Sequence, residues 1–199
     1  MPEAITTHEL YQADAQLMHQ VAHQDDTAWN TLLEHHLGKV LLLVKRLLHD
    51  HQEAEDVTQE CFIRLWQQAA HWQPQARIAT WLYRVAHNLA MDRLRKRQRQ
   101  QEETLDEQQE YDSIMAPPTH SPLAILEEKE RQQWLLSALD RLPARNRSVV
   151  LLVNRLGLRI SEAAQVLQLS EEATASLLAR SRKQLRTMLA PLYHDLRGD

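Results

Sequence analysis

Arg93, Arg95, Lys96, Arg97 and Arg99 stand together against Asp92 alone, while upstream Glu53, Glu55, Asp56 and Glu60 fall in a stretch without a base. Fixed cations of this kind neutralise phosphates and release their counterions. Carboxylates at a helix start either favour the helix dipole or dock on a basic partner. The segment 53–97 therefore offers a protein-facing acidic start and a phosphate-facing basic end. Catalytic chemistry has little footing: the eleven histidines are dispersed, and His35–His36 and His49 with His51 lack further ligands. There is no phosphate-binding glycine loop, and Cys61 sits at a core-facing position rather than beside a base. No enzyme, metal site or cofactor is expected.

Two further segments carry candidate chemistry. The stretch 171–189 opens with small residues and places Arg180, Arg182, Lys183 and Arg186 farther on. Small side chains let a helix start approach base edges, and the later cations reach flanking phosphates. A solvated amphipathic helix gives the same pattern. Arg84, His87, Asn88, Met91 and Arg95 recur at three and four, a polar face whose Arg and Asn groups suit phosphates and bases; a plain solvated face fits equally. Trp72, Gln73 and Arg77 flank Pro74. An indole there either stacks on an unpaired base, worth about 1 to 3 kcal/mol, or covers the core, and the spacing of Trp66 and Trp81 reads as core.

The elements that must hold these residues are helices. Three glycines in 199 residues leave few tight turns, and Leu, Ala, Gln, Glu and Arg dominate. Apolar residues from Leu17 to Leu48 recur at helical spacing and break near Asp25. A third helix is predicted over 53–70, with Val57, Cys61, Phe62 and Leu65 inward and Asp56, Gln59, Glu60 and Ile63 off the stripe. Thr80 is the expected N-cap of a fourth helix from Trp81 to about Arg99, with Leu82, Val85, Ala86 and Leu89 inward. Residues 100–122 are polar, acidic and proline-bearing, which predicts a flexible linker. Beyond it, helices are expected over 123–141 and from Pro143. Two shorter ones, capped by Ser161 and Ser170 and joined by Gln168 and Leu169, form a helix-turn-helix. The fold class is thus all-α: a domain over 1–99, a linker over 100–122 and a helix-turn-helix domain over 123–199.

The net charge of -4 hides segregation into blocks of -8 (1–60), +7 (61–100), -7 (101–142) and +4 (143–199). Local basic faces decide phosphate attraction, because screening confines the field to about 8 to 10 Å. The single cysteine excludes an internal disulfide, and no apolar run approaches the ~20 residues of a membrane span. Without a basic start or apolar core near Met1, no signal peptide is read, and a cytoplasmic setting is expected.

Taken in order, AEDVTQECFIRLW, TWLYRVAHNLAMDRLRKR, LSALDRLPARNRSVVLL and ISEAAQVLQLSEEATASLLARSRKQLRTML resemble bacterial extracytoplasmic-function sigma factors, from about Asp14 to Leu189. The resemblance implies sigma-two and sigma-four domains that bind core RNA polymerase, through its beta and beta-prime subunits, and promoter DNA. It assigns Asp56, Gln59, Glu60, Ile63 and Trp66 to the polymerase clamp. To the minus-ten element it assigns Trp72, Gln73, Arg77, Arg84, His87, Asn88 and Arg95, the loop 71–79 capturing a flipped base. To the minus-thirty-five element it assigns Glu172, Thr174, Ala175, Ser176, Ala179, Arg180, Arg182 and Lys183. It further implies an anti-sigma partner and a linker threaded toward the polymerase channel. Two departures stand out: Gln168 where the turn usually has glycine, and small residues 173–176 where relatives carry larger readers. A helix-turn-helix regulator that works without polymerase is the competing reading.

Overall fold

The computed structural model describes residues 7–74, 76–104 and 133–195, which are helical with short connections and contain no strand. The linker residues 105–122 and the first part of the helix expected over 123–141 lie outside the described residues.

Helix α1 (Thr7–Ala22) and helix α2 (Asp26–Leu48) break where expected. The Asp25 carboxylate accepts the amides of Thr27 (2.9 Å) and Ala28 (3.1 Å), satisfying two donors that a helix start leaves orphaned. Helix α2 stops at His49, whose φ of 56° is left-handed. Asp50 then caps helix α3 (His51–Gln68) by accepting the Glu53 amide at 3.0 Å. The predicted inward stripe of Val57, Cys61, Phe62 and Leu65 is buried, and a 3₁₀ turn (Ala69–His71) follows.

Helix α4 runs Ile78–Thr104. It starts before Thr80, which is buried and is not the cap, and it continues through 100–104, which composition assigned to the linker. Arg97 explains part of that continuity. Its guanidinium donates to the Leu48 carbonyl (2.9 Å) and pairs with Glu53 (2.9 Å), fixing the far half of α4 to the α2–α3 junction. Met18, Leu32, Leu43, Val44, Leu65, Ile78, Leu82 and Ala86 form the shared core, each large side chain worth about 1.5–3 kcal/mol when buried.

The second domain comprises α5 (133–140), α6 (Ala144–Val150) with a π turn over Leu151–Arg155, α7 (Ile160–Leu167) and α8 (Glu171–Asp195). Ser170 Oγ accepts the Ala173 amide at 3.1 Å, as its capping role requires. Ser161 does not cap α7. The helix begins one residue earlier, and Glu162 accepts the Arg159 amide at 2.8 Å instead. Gln168 closes α7 with φ 54° and ψ 49°, the left-handed turn that glycine would adopt without cost.

The domains touch where α7 meets α4 and α6 meets α2. The buried Arg147 guanidinium donates to the carbonyls of Asp140 (2.8 Å), Leu142 (3.0 Å) and Arg46 (2.5 Å) and meets the His49 ring. One side chain thereby satisfies orphan carbonyls of both domains. Arg46 adds an ion pair to Asp140 at 3.5 Å.

Candidate functional site

Between α2 and α3 lies an open groove of about 490 Å³ lined by Trp29, Leu33, Leu37, Gln59, Phe62, Ile63, Trp66 and Gln67. Trp29 anchors it, with Trp66 edge-on at 5.0 Å and Phe62 edge-on at 6.1 Å. Ile63 is 57% exposed and Trp66 40% exposed, so Trp66 is not the core residue that its spacing predicts. It leans on the core through Trp29 and turns its other side to solvent. Asp56 and Gln59 are exposed beside the groove, and Glu60 is held by Arg64 one turn along. An apolar patch rimmed by polar groups is the form a protein-binding surface takes. The sequence missed Trp29, Leu33 and Leu37 because nothing local pairs α2 with α3. Cys61, on the inward side of α3, is fully buried, and burial pushes its thiol up to about 12.

At the far end of α3, Trp72 is half-buried and edge-on to Trp81 at 6.1 Å, its indole N–H without a partner. Gln73 is exposed beside it. Arg77 does not stand free: its Nε donates to Asp14 of α1 at 2.8 Å, and the same carboxylate oxygen accepts the Ile78 amide at 2.8 Å. On α4, Arg84, Asn88 and Arg95 are exposed, and Arg95 pairs with Asp92. His87 departs from the expected polar face. It is 7% exposed, and burial lowers its pKa against the opposing pull of the neighbouring Asn88 side chain, with Arg145 of α6 adding to the lowering. Arg145 also reaches the Leu167 carbonyl at the end of α7, so the second domain covers the His87 side of α4. Thr80, Tyr83, His87 and Ala90, all buried, mark that covered stripe.

On α8, Glu172, Ala175, Ser176, Ala179, Arg180, Arg182 and Lys183 are exposed on one surface. Thr174 is not: it is fully buried, with its hydroxyl donating to the Ser170 carbonyl at 2.9 Å. It shares the inward stripe of Leu178, Ser181 and Leu185, a three-and-four spacing that was legible in the sequence. The helix is seated by Asn146, whose amide donates to Ser181 Oγ at 3.0 Å, and by Arg182, which donates to Asn154 at 2.5 Å. Glu172 is held below its ordinary carboxylate range by its own backbone amide and by the Ser170 hydroxyl, which keeps a negative charge at the helix start. Among the described residues, no three His, Cys, Asp or Glu side chains come together to hold a metal ion, and no helix is long and apolar enough to cross a membrane.

Two helical domains that each expose arginines or lysines along a helix, one of them in a helix-turn-helix, have an architecture that suits nucleic-acid binding. Comparison with known proteins narrows the class. The family model of Sigma-70 region 2 matches residues 32–100, and that of Sigma-70, region 4 matches residues 132–185. The chain is 34% identical over 163 residues to the ECF RNA polymerase sigma factor SigE of Mycolicibacterium smegmatis, covering 82% of this chain and 62% of SigE. It is 28% identical over 186 residues to the RNA polymerase sigma-H factor of Pseudomonas aeruginosa, covering 92% of this chain and 96% of that one. Among solved structures, CnrH in complex with the cytosolic domain of CnrY superposes with a TM-score of 0.64 at 22% identity, over 90% of this chain and 98% of CnrH. RpoE of Bartonella quintana, in complex with the anti-sigma factor NepR, gives 0.63 at 21% identity, over 81% and 96%. The chain belongs to the extracytoplasmic-function group of the sigma-70 family: it is an RNA polymerase sigma factor.

Proposed function

We propose that the chain docks on core RNA polymerase through the α2–α3 groove. It then recognises a minus-ten element with the 71–77 loop and α4, a minus-thirty-five element with α8, and directs initiation at one set of promoters without catalysis of its own. The observation that carries this reading is the groove itself. A DNA-binding regulator that works alone has no use for an exposed Trp29–Trp66–Ile63 surface flanked by Asp56 and Gln59. Exposed aromatics seated in a pocket are the residues that dominate protein interfaces. Asp56, Gln59 and Glu60 supply the polar rim toward the beta-prime clamp.

Control by an anti-sigma factor extends to this chain from RpoE of Bartonella quintana, solved in complex with the anti-sigma factor NepR. A cytoplasmic setting follows from the role. Transcription in vitro with purified core polymerase tests the whole reading. Added protein should start transcripts from a subset of promoters in a genomic library. A protein that binds DNA fragments but starts no transcript with core polymerase is the polymerase-independent regulator instead.

A further inference from the structure

The Asp14 carboxylate makes contacts out of proportion to its place in the sequence. It lies on α1, upstream of the segment 32–100 that matches Sigma-70 region 2, and its side chain is only 13% exposed. One oxygen accepts two hydrogen bonds of 2.8 Å, from the Arg77 side chain and from the Ile78 backbone. The Ile78 amide is the first of α4, and α4 has no acidic residue in its first turn. A carboxylate at that point does for α4 what a local N-cap does elsewhere, satisfying an orphan donor and complementing the positive end of the dipole. Here it comes from another helix, 64 residues away.

The same contact removes Arg77 from the pool of phosphate-seeking cations. A guanidinium held by a nearly buried carboxylate is oriented and neutralised, unlike the exposed Arg84. The neighbourhood keeps Asp14 available to it. His36 of α2, next to Asp14, Arg77 and Lys39, is lowered to about 4, first by burial and then by Lys39. It is neutral at physiological pH and does not compete as a cation.

We propose that Asp14 is a positioning residue for the minus-ten loop: by holding Arg77 and the first amide of α4, it fixes Trp72 and Gln73 relative to α4 for base capture. Arg77 is then part of the scaffold rather than a phosphate contact. This rests on the reading of 71–77 as the base-capturing loop.

The test uses holoenzyme on a promoter recovered in the transcription assay, with 2-aminopurine in the nontemplate minus-ten strand. Wild-type holoenzyme must raise the 2-aminopurine signal; if it does not while transcripts form, the reading of the loop fails and Asp14 loses its proposed role with it. Asp14→Ala should leave core binding and closed-complex affinity unchanged and slow the 2-aminopurine rise about ten- to a hundredfold, the loss that a misplaced group causes. Asp14→Asn, nearly isosteric and still able to accept the Ile78 amide, should fall between. Arg77→Ala should slow the same step, add little to Asp14→Ala, and leave the salt dependence of closed-complex binding untouched. An Arg77→Ala salt slope reduced by about one phosphate, or tighter DNA binding by Asp14→Ala, would mean Arg77 is a phosphate ligand that Asp14 masks. Either result overturns the proposal, as does a folded Asp14→Asn and Asp14→Ala pair with wild-type opening rates.

Discussion

Single side chains divide into those exposed for partners and those buried for the fold. Trp66 belongs mainly to the first group. Trp66→Ala should weaken core polymerase binding by about 2 kcal/mol, a typical cost for an aromatic anchor. It should cost the fold only about 1 kcal/mol, the worth of one aromatic pair with Trp29. Titration of the reconstituted holoenzyme alongside urea unfolding separates the two. Cys61 belongs wholly to the second group. Its thiol should resist alkylation in the native state and react once the chain unfolds. Because burial moves it from 9.0 to about 12, the unfolded chain loses that proton first, and stability should fall as pH rises from 9 toward 12. His36 acts at the other end of the scale. With its native pKa near 4 rather than 6.5, the unfolded state binds the proton first as the solution is acidified. Stability should therefore drop between pH 6.5 and 4, by at most ~3 kcal/mol. A His36→Gln variant with an unchanged acid limb of its unfolding profile would contradict this.

At the scale of elements, the helix-turn-helix stores strain in one residue. Gln168 holds φ 54° where a side chain costs roughly 1 kcal/mol. Gln168→Gly should stabilise the second domain by about that amount and raise its melting temperature by roughly 4–8 °C, with DNA affinity unchanged because Gln168 lies in the turn and not on the exposed face of α8. Ser170→Ala works in the opposite sense, removing the acceptor of the Ala173 amide and costing about 1 kcal/mol. Differential scanning calorimetry resolves both. The turn residue and the cap were legible in the sequence because they act between residues one to four apart. The start of α4 was not. Thr80 had the right chemistry for a cap, but the helix begins earlier, at the amide that Asp14 receives from across the domain.

For the whole molecule, the contact between domains sets what the free protein can show to DNA. Arg147, Asp140, Arg46 and His49 link the end of α2 to the second domain, and α7 covers the His87 side of α4. Burial and the neighbouring Arg147 both lower the His49 pKa. The Arg46–Asp140 pair is half-exposed and worth no more than about 1 kcal/mol, while the hydrogen bonds of buried Arg147 carry more. Asp140→Asn should therefore loosen the pair without opening the domains fully, seen as a small increase in the radius of gyration by X-ray scattering. His49→Ala combined with Asp140→Asn should open them further. His87 can meet DNA only after α7 leaves α4, so its ring should resist diethyl pyrocarbonate in the free protein, react in the holoenzyme without promoter, and be protected again when promoter DNA is bound.

The sequence by itself determined the all-helical order, the helix-turn-helix, the acidic start of α3 and the exposed cations of α4 and α8. Each of these depends on periodicity, capping or charge within a turn or two, where chain proximity is given. Only the tertiary structure decided that Trp29 and Trp66 face each other across a groove, that Asp14 captures Arg77, that His87 is covered, and that Arg147 bridges the domains. Those pairings join residues from 37 to 101 positions apart. Nothing local encodes them, because they follow from how whole helix surfaces pack once the chain entropy of bringing them together has been overcome.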